Sequence, residues 1–243
     1  MNPRTRLILC AATIALLWQL PYGAQMLYPL TLLATFAHEM GHGLSALALG
    51  ASFDEMLLHA DGSGMAVWHG NPGRLVTALI AAGGLIGPSL AGVSLLLLSR
   101  APRFARAALV LVAGLLLIAA ALWTRNAFGI GFLLAWAVGL GLAARLLPDA
   151  AASFVLHLIA VTLCLSWLTD LDYMFSNQAV VGGVVHLSDS AVIAQALWLP
   201  YWFWGALVAV FSLVLVLLGI GFVSRTAPKG KATLPGYGTL PPI

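Results

Sequence analysis

The strongest constraint on this chain is where its charges are missing. Uncharged stretches cover 7–38, 75–99, 107–124, 126–144, 150–169 and 190–224, with lengths of 32, 25, 18, 19, 20 and 35 residues. A helix needs about 20 predominantly apolar residues to cross a bilayer core. Each of the four central runs therefore fits one helix, and the first and last are too long for one. Pro21-Tyr22-Gly23 divides the first run into spans at 7–22 and 27–50. Pro200 divides the last into a short apolar piece, 190–199, and a span at 201–223. The expectation is an all-α polytopic membrane protein with about seven transmembrane helices plus a short half-helix.

Composition supports this class. Hydrophobic residues make up 61% and charged residues 8% of the chain, whereas about a quarter of a soluble domain is charged. A net charge of +3, spread along the sequence, excludes a nucleic-acid surface. Cys10 and Cys164 lie in apolar runs and read as inert buried thiols. Residues 1–223 read as a single membrane domain, and 224–243, rich in Pro and Gly, as a flexible polar tail. Arg4 and Arg6 precede an apolar stretch as in a signal peptide, but no A-x-A-like cleavage site follows and the hydrophobicity runs on.

Seven spans place the loop at 51–74 and the region 170–200 on one side of the membrane. Arg4, Arg6, Arg74 and Arg125 fall on that side. Arg100, Arg103, Arg106, Arg145, Arg225, Lys229 and Lys231 fall on the other, so the distribution of basic residues leans towards a cytoplasmic C-terminus.

Inside the second span, His38-Glu39-Met40-Gly41-His42 forms H-E-x-x-H. Histidines four apart share a helix face and can hold one Zn²⁺, and the glutamate between them can serve as general base towards a water that the metal acidifies. Ionisable groups at bilayer depth are costly, which favours a functional role. Gly41 and Gly43 are weak helix formers that allow another helix or a substrate backbone to come close. Two other readings of the same residues exist. One is a polar seam that only hydrogen-bonds neighbouring helices. The other is a transporter using a His/Glu relay, which would need charges in several spans. The runs at 75–99, 107–124 and 150–169 carry none.

This motif in an apolar helix, followed by a short glycine-rich polar segment, resembles the intramembrane site-two type zinc metalloproteases of the M50 family, in particular the M50B-like branch. The likeness is specific over 28–75 and looser over 170–205. It implies a protease-like core at 27–99 plus 150–205 in a multi-pass protein of a bacterial inner membrane. It also implies a zinc cofactor, a membrane-protein substrate met within or beside the lipid bilayer, and a distant aspartate as third ligand. The oligomeric state is left open. Many relatives take that aspartate from an N-x-x-P…D-G string, which is absent here; Asp61-Gly62 is the single Asp-Gly pair.

A catalytic zinc takes three protein ligands and keeps one position open. Asp170, Asp172 and Asp189, with His186 as an outsider, lie on the side to which the motif helix delivers its loop. Asp189 is preferred: it sits in His186-Leu187-Ser188-Asp189-Ser190-Ala191, just before the half-length piece, where Ser188 or Asp189 suits an N-cap. The looser resemblance also favours it. Asp189 could instead be a capping residue only. Asp170 and Asp172 are two apart, so at most one could face a metal, and either could instead orient the histidines. The expected site is thus His38, His42 and Asp189 as metal ligands with Glu39 as catalytic base.

Two short apolar pieces around Asp61-Gly62-Ser63-Gly64, within 53–68, suit a small β-hairpin after the second span. The resemblance implies that its edge pairs with an unwound substrate; an ordinary surface loop is the alternative. His59 and His69 read as loop residues. Gly83-Gly84 and Gly87-Pro88 predict a kinked or closely packed third span.

Overall fold

The computed structural model describes residues 3–99 and 102–225. The long helices are α1 (Pro3–Gln19), α2 (Gly23–Ala48), α3 (Arg74–Leu98), α4 (Pro102–Leu122), α5 (Ala127–Leu146), α6 (Asp149–Thr169) and α9 (Tyr201–Arg225). Between α2 and α3 lies an antiparallel hairpin, β1 (Glu55–Leu58) with β2 (Gly64–Val67). Between α6 and α9 come a single turn, α7 (Leu171–Met174), a second antiparallel hairpin, β3 (Gln178–Val181) with β4 (Val184–Leu187), and the short helix α8 (Asp189–Leu197).

Among the described residues, five helices are long and apolar enough to cross a membrane, so the expected number of about seven is not confirmed: α3, Phe104–Leu122 of α4, α5, α6 and Tyr201–Val223 of α9. The apolar part of α1 is only Leu7–Gln19, shorter than a spanning helix requires. α2 has the length, 26 residues, but carries His38, Glu39 and His42 in its body. These two helices are what separates five from the expected seven. The second hairpin is a further departure, because a single hairpin was expected. The tail beyond 225 lies outside the described residues.

The expected break between the first two helices is present. Tyr22 adopts a left-handed conformation (φ 66°), and Gly23 packs so closely that a Cβ there would lie 1.6 Å from the Leu17 carbonyl oxygen. α3 is the centre of the molecule and packs against α2, α6, α8 and α9. Its glycines allow this. A Cβ on Gly41 of α2 would lie 2.3 Å from the Gly83 oxygen, and one on Gly87 would lie 2.7 Å from the Ala37 oxygen. The small residues of the motif thus admit a neighbouring helix. Cys10 and Cys164 are buried free thiols.

The first hairpin is tied on its outer edge. Met56 N–H donates to the Trp123 carbonyl at 2.8 Å, and Arg125 N–H donates to the Met56 carbonyl at 3.1 Å. The Asn126 side chain bonds the main chain of Leu58. Main-chain groups alternate sides along a strand. Met56 and Leu58 point outward, so their partners Ala66 and Gly64 turn their own groups to the opposite edge of β2, where the Ala66 N–H donates to the Glu39 carboxylate.

Candidate metal centre

Helical spacing carries His38 and His42 to one face of α2, with ring centroids 4.8 Å apart. His42 Nδ1 lies 2.9 Å from the Ile80 carbonyl of α3. A carbonyl can only accept, so this bond keeps the proton on Nδ1 and leaves the Nε2 lone pair facing the site. A Cβ on Gly84 would lie 2.1 Å from His42 Nε2, so glycine at that turn of α3 makes room for the ring.

Asp189 reaches the pair from α8. Its Oδ2 lies 2.9 Å from His38 Nε2 and 3.2 Å from His42 Nε2, and the two nitrogens are 3.1 Å apart. The capping question resolves in favour of Ser188. Its Oγ accepts the Ala191 N–H at 3.2 Å and donates to the Ser176 carbonyl at 2.5 Å, which frees the neighbouring carboxylate. Ser190 Oγ donates to the Met174 carbonyl at 2.6 Å. Tyr173 donates its hydroxyl proton to Asp189 Oδ2 at 2.9 Å and accepts the Asp189 N–H at 3.1 Å. The turn around α7 therefore fixes the start of α8 through three side chains. Tyr173 carries no sequence motif, and only its position 16 residues before Asp189 ties it to this site.

Glu39 is buried, at 6% exposure, beside His38. β2 lies against it: a Cβ on Gly64 would sit 2.9 Å from Glu39 Oε1. Two cavities of about 370 and 270 Å³ meet at His38, Glu39, Gly64, Tyr173 and Val181. The second also includes His42, Asp189 and His186.

The other acids lie elsewhere. Asp54 is ion-paired with His69, and Asp149 with Arg106 at 2.8 Å. Asp61 accepts from both the hydroxyl and the amide of Ser63, which hold its carboxyl below the usual carboxylate range. Asp172 is exposed, and Asp170 is half-buried on the wall of the larger cavity. Among the described residues, the group of three or more possible ligands that converges is His38, His42 and Asp189.

The donor set suits a small divalent metal. Ligand atoms about 2.0–2.2 Å from a tetrahedral zinc lie about 3.3–3.6 Å from one another. The three atoms here are separated by 2.9, 3.1 and 3.2 Å, so a modest opening would reach that spacing. Two imidazoles and one carboxylate also match the composition of catalytic zinc sites that keep one position open.

The model of the Peptidase M50B-like family matches residues 7–219. The chain belongs to that family. Its match spans both hairpins and the helices that bring α2 and α8 together. No curated protein and no solved structure matches the chain. Family membership and the five long apolar helices together make it an integral membrane protein.

Proposed function

We propose that this M50B-like protein is a zinc-dependent endopeptidase that hydrolyses peptide bonds of membrane-embedded or membrane-adjacent proteins. The observation that carries this reading is the convergence of His38, His42 and Asp189 beside the buried Glu39. His38, His42 and Asp189 hold the metal, and Glu39 is the general base. Zinc bound there supplies Lewis acidity towards the scissile carbonyl and towards water.

The remaining steps belong to the chain itself. Glu39 accepts the proton of the attacking water and returns it to the departing amine, as its place beside the ligands allows. Ile80 holds His42 in the ligating tautomer, and Tyr173 and Ser188 hold Asp189 in place. The edge of β2 that faces Glu39 receives an extended stretch of substrate by strand addition, with the Gly64 main chain as its docking point and the Ala66 N–H held by Glu39. This addresses the problem that a helical substrate hides its amides in its own hydrogen bonds.

The test is Glu39→Gln in the full chain. It should retain one zinc per chain and lose cleavage of a membrane substrate. If it cleaves like the parent protein, Glu39 is not the base and the hydrolytic reading fails.

A further inference from the structure

The larger cavity has a one-sided polar character. Its wall includes Thr31, Thr35, Ser63, Thr162, Ser166 and Thr169, and the hydrogen of every one of these hydroxyls is already donated. Thr31 gives its proton to the Tyr28 carbonyl, Thr35 to Gly62, Thr162 to Leu158, Ser166 to Leu163 and Thr169 to Ser166, all at 2.7–3.0 Å. Ser63 gives its own to the Asp61 carboxylate at 2.6 Å. What these groups can offer to the cavity is lone pairs.

Asp170 stands on the same wall with no cation of its own. Its nearest partner is the Thr169 hydroxyl at 3.4 Å, which is already donated to Ser166 at 2.7 Å. Among the described residues, no Lys or Arg lines this cavity, and its one imidazole, His38, is bound to Asp189. A partly buried carboxylate surrounded by acceptors is poorly compensated unless a donor arrives from outside. Trp18, 44% exposed, also lines the cavity and offers a ring face to a cation. The cavity shares His38 and Glu39 with the metal centre, so a side chain inside it would belong to a residue close to the scissile bond.

We propose that this cavity is a substrate side-chain pocket in which Asp170 selects a basic residue, Lys or Arg, next to the cleaved bond. The inference rests on the proteolytic reading above and names the substrate class for that site. The acceptors around the pocket match the three donors of an ammonium or the five of a guanidinium, and they leave a carboxylate side chain without a donor. Asp170 sets specificity, and the hydrolytic groups remain Glu39 and the ligands.

The experiment uses the full chain, zinc-loaded in detergent. The probes are single-span peptides identical except for Lys, norleucine or Glu at each position flanking the cleaved bond. The parent protein should prefer Lys to norleucine by about tenfold or more in kcat/KM at one of these positions, the range expected for a hydrogen bond to a charged group. Asp170→Asn should collapse this ratio, chiefly through KM, and Asp170→Lys should turn the preference towards Glu. A ratio taken within one variant is insensitive to the fraction of misfolded protein. Binding of the same peptides to Glu39→Gln separates the two claims. If Lys binds no better than norleucine there, or the ratio survives Asp170→Asn, the pocket assignment is overturned while hydrolysis by the parent still stands. If the parent binds Lys selectively and cleaves nothing, the pocket stands and the protease reading falls.

Discussion

The two hairpins have strands of equal length and meet at their tips, yet they are held in opposite ways. In β1, Met56 and Leu58 are fully buried, and the outer edge is bonded to the segment between α4 and α5. In β4 every residue is exposed, and Val180, Val184 and Val185 are 58–61% exposed. The second hairpin is joined to the first at its tip, through the Gly182 N–H to Ser63 Oγ at 3.0 Å, and its own base is closed by the Ser188 N–H to the Asn177 carbonyl at 3.2 Å. The difference separates two jobs. The strand whose inner edge faces Glu39 is braced from behind, which suits the strand-accepting role proposed for it. The apolar ribbon that walls both cavities has little packing of its own. Regions with few buried contacts open at low cost. Amides of β1 and β2 should therefore exchange more slowly than those of β3 and β4.

Three substitutions test that contrast. The largest effect is expected from Met56→Pro, which removes the N–H bonded to Trp123 and leaves that carbonyl without its strand partner. A loss of about 2–3 kcal/mol should lower the thermal midpoint and abolish cleavage. An unchanged midpoint would mean that the outer edge does not brace the hairpin. Gly182→Val ranks second. The two-residue turn places Gly182 at φ 55° and Gly183 at φ 84°, and a β-branched residue in that region costs about 1–2 kcal/mol. Hydrogen exchange should accelerate over 178–187 and stay unchanged over 55–67. Acceleration in both would show that the hairpins open as one unit. Ser63→Ala is the mildest, at about 1 kcal/mol. It removes the acceptor of the Gly182 amide, whose exchange should speed up alone.

The same contrast explains what the sequence could reveal. The hairpin at 53–68 was legible because Asp61-Gly62 punctuates two short apolar pieces. Val180-Val181-Gly182-Gly183-Val184-Val185 carries an equally good signal, two glycines between β-branched pairs. It holds neither an acid nor part of the half-helix, the two features of 170–200 on which the metal site turns. The His38, Glu39 and His42 face follows from helical periodicity alone. The approach of Asp189 was legible from Ser188 as a cap and from Pro200 as the stop of a short helix. The role of Tyr173 was not, since one tyrosine at a turn has no local pattern. Nor was the fit of Gly84 beneath His42, because glycine pairs signal close packing without naming the partner. The expected seven spans and the five long apolar helices differ at α1 and α2, for a physical reason. Charge-free length does not measure apolarity when histidines and hydroxyls lie in the run.

The central claim is that side chains from α2 and α8 hold one metal. Zinc titration of the purified full chain tests it most directly, with Asp189→Asn, Asp170→Asn and Asp172→Asn compared in parallel. The account predicts one tightly held zinc per chain in the parent and in the Asp170 and Asp172 variants. Asp189→Asn should weaken binding by about 100-fold or more, since losing a ligand exceeds the effect of losing a ligand's hydrogen-bond partner. Unchanged zinc affinity in Asp189→Asn, or loss of zinc on changing Asp170 or Asp172 instead, would contradict it.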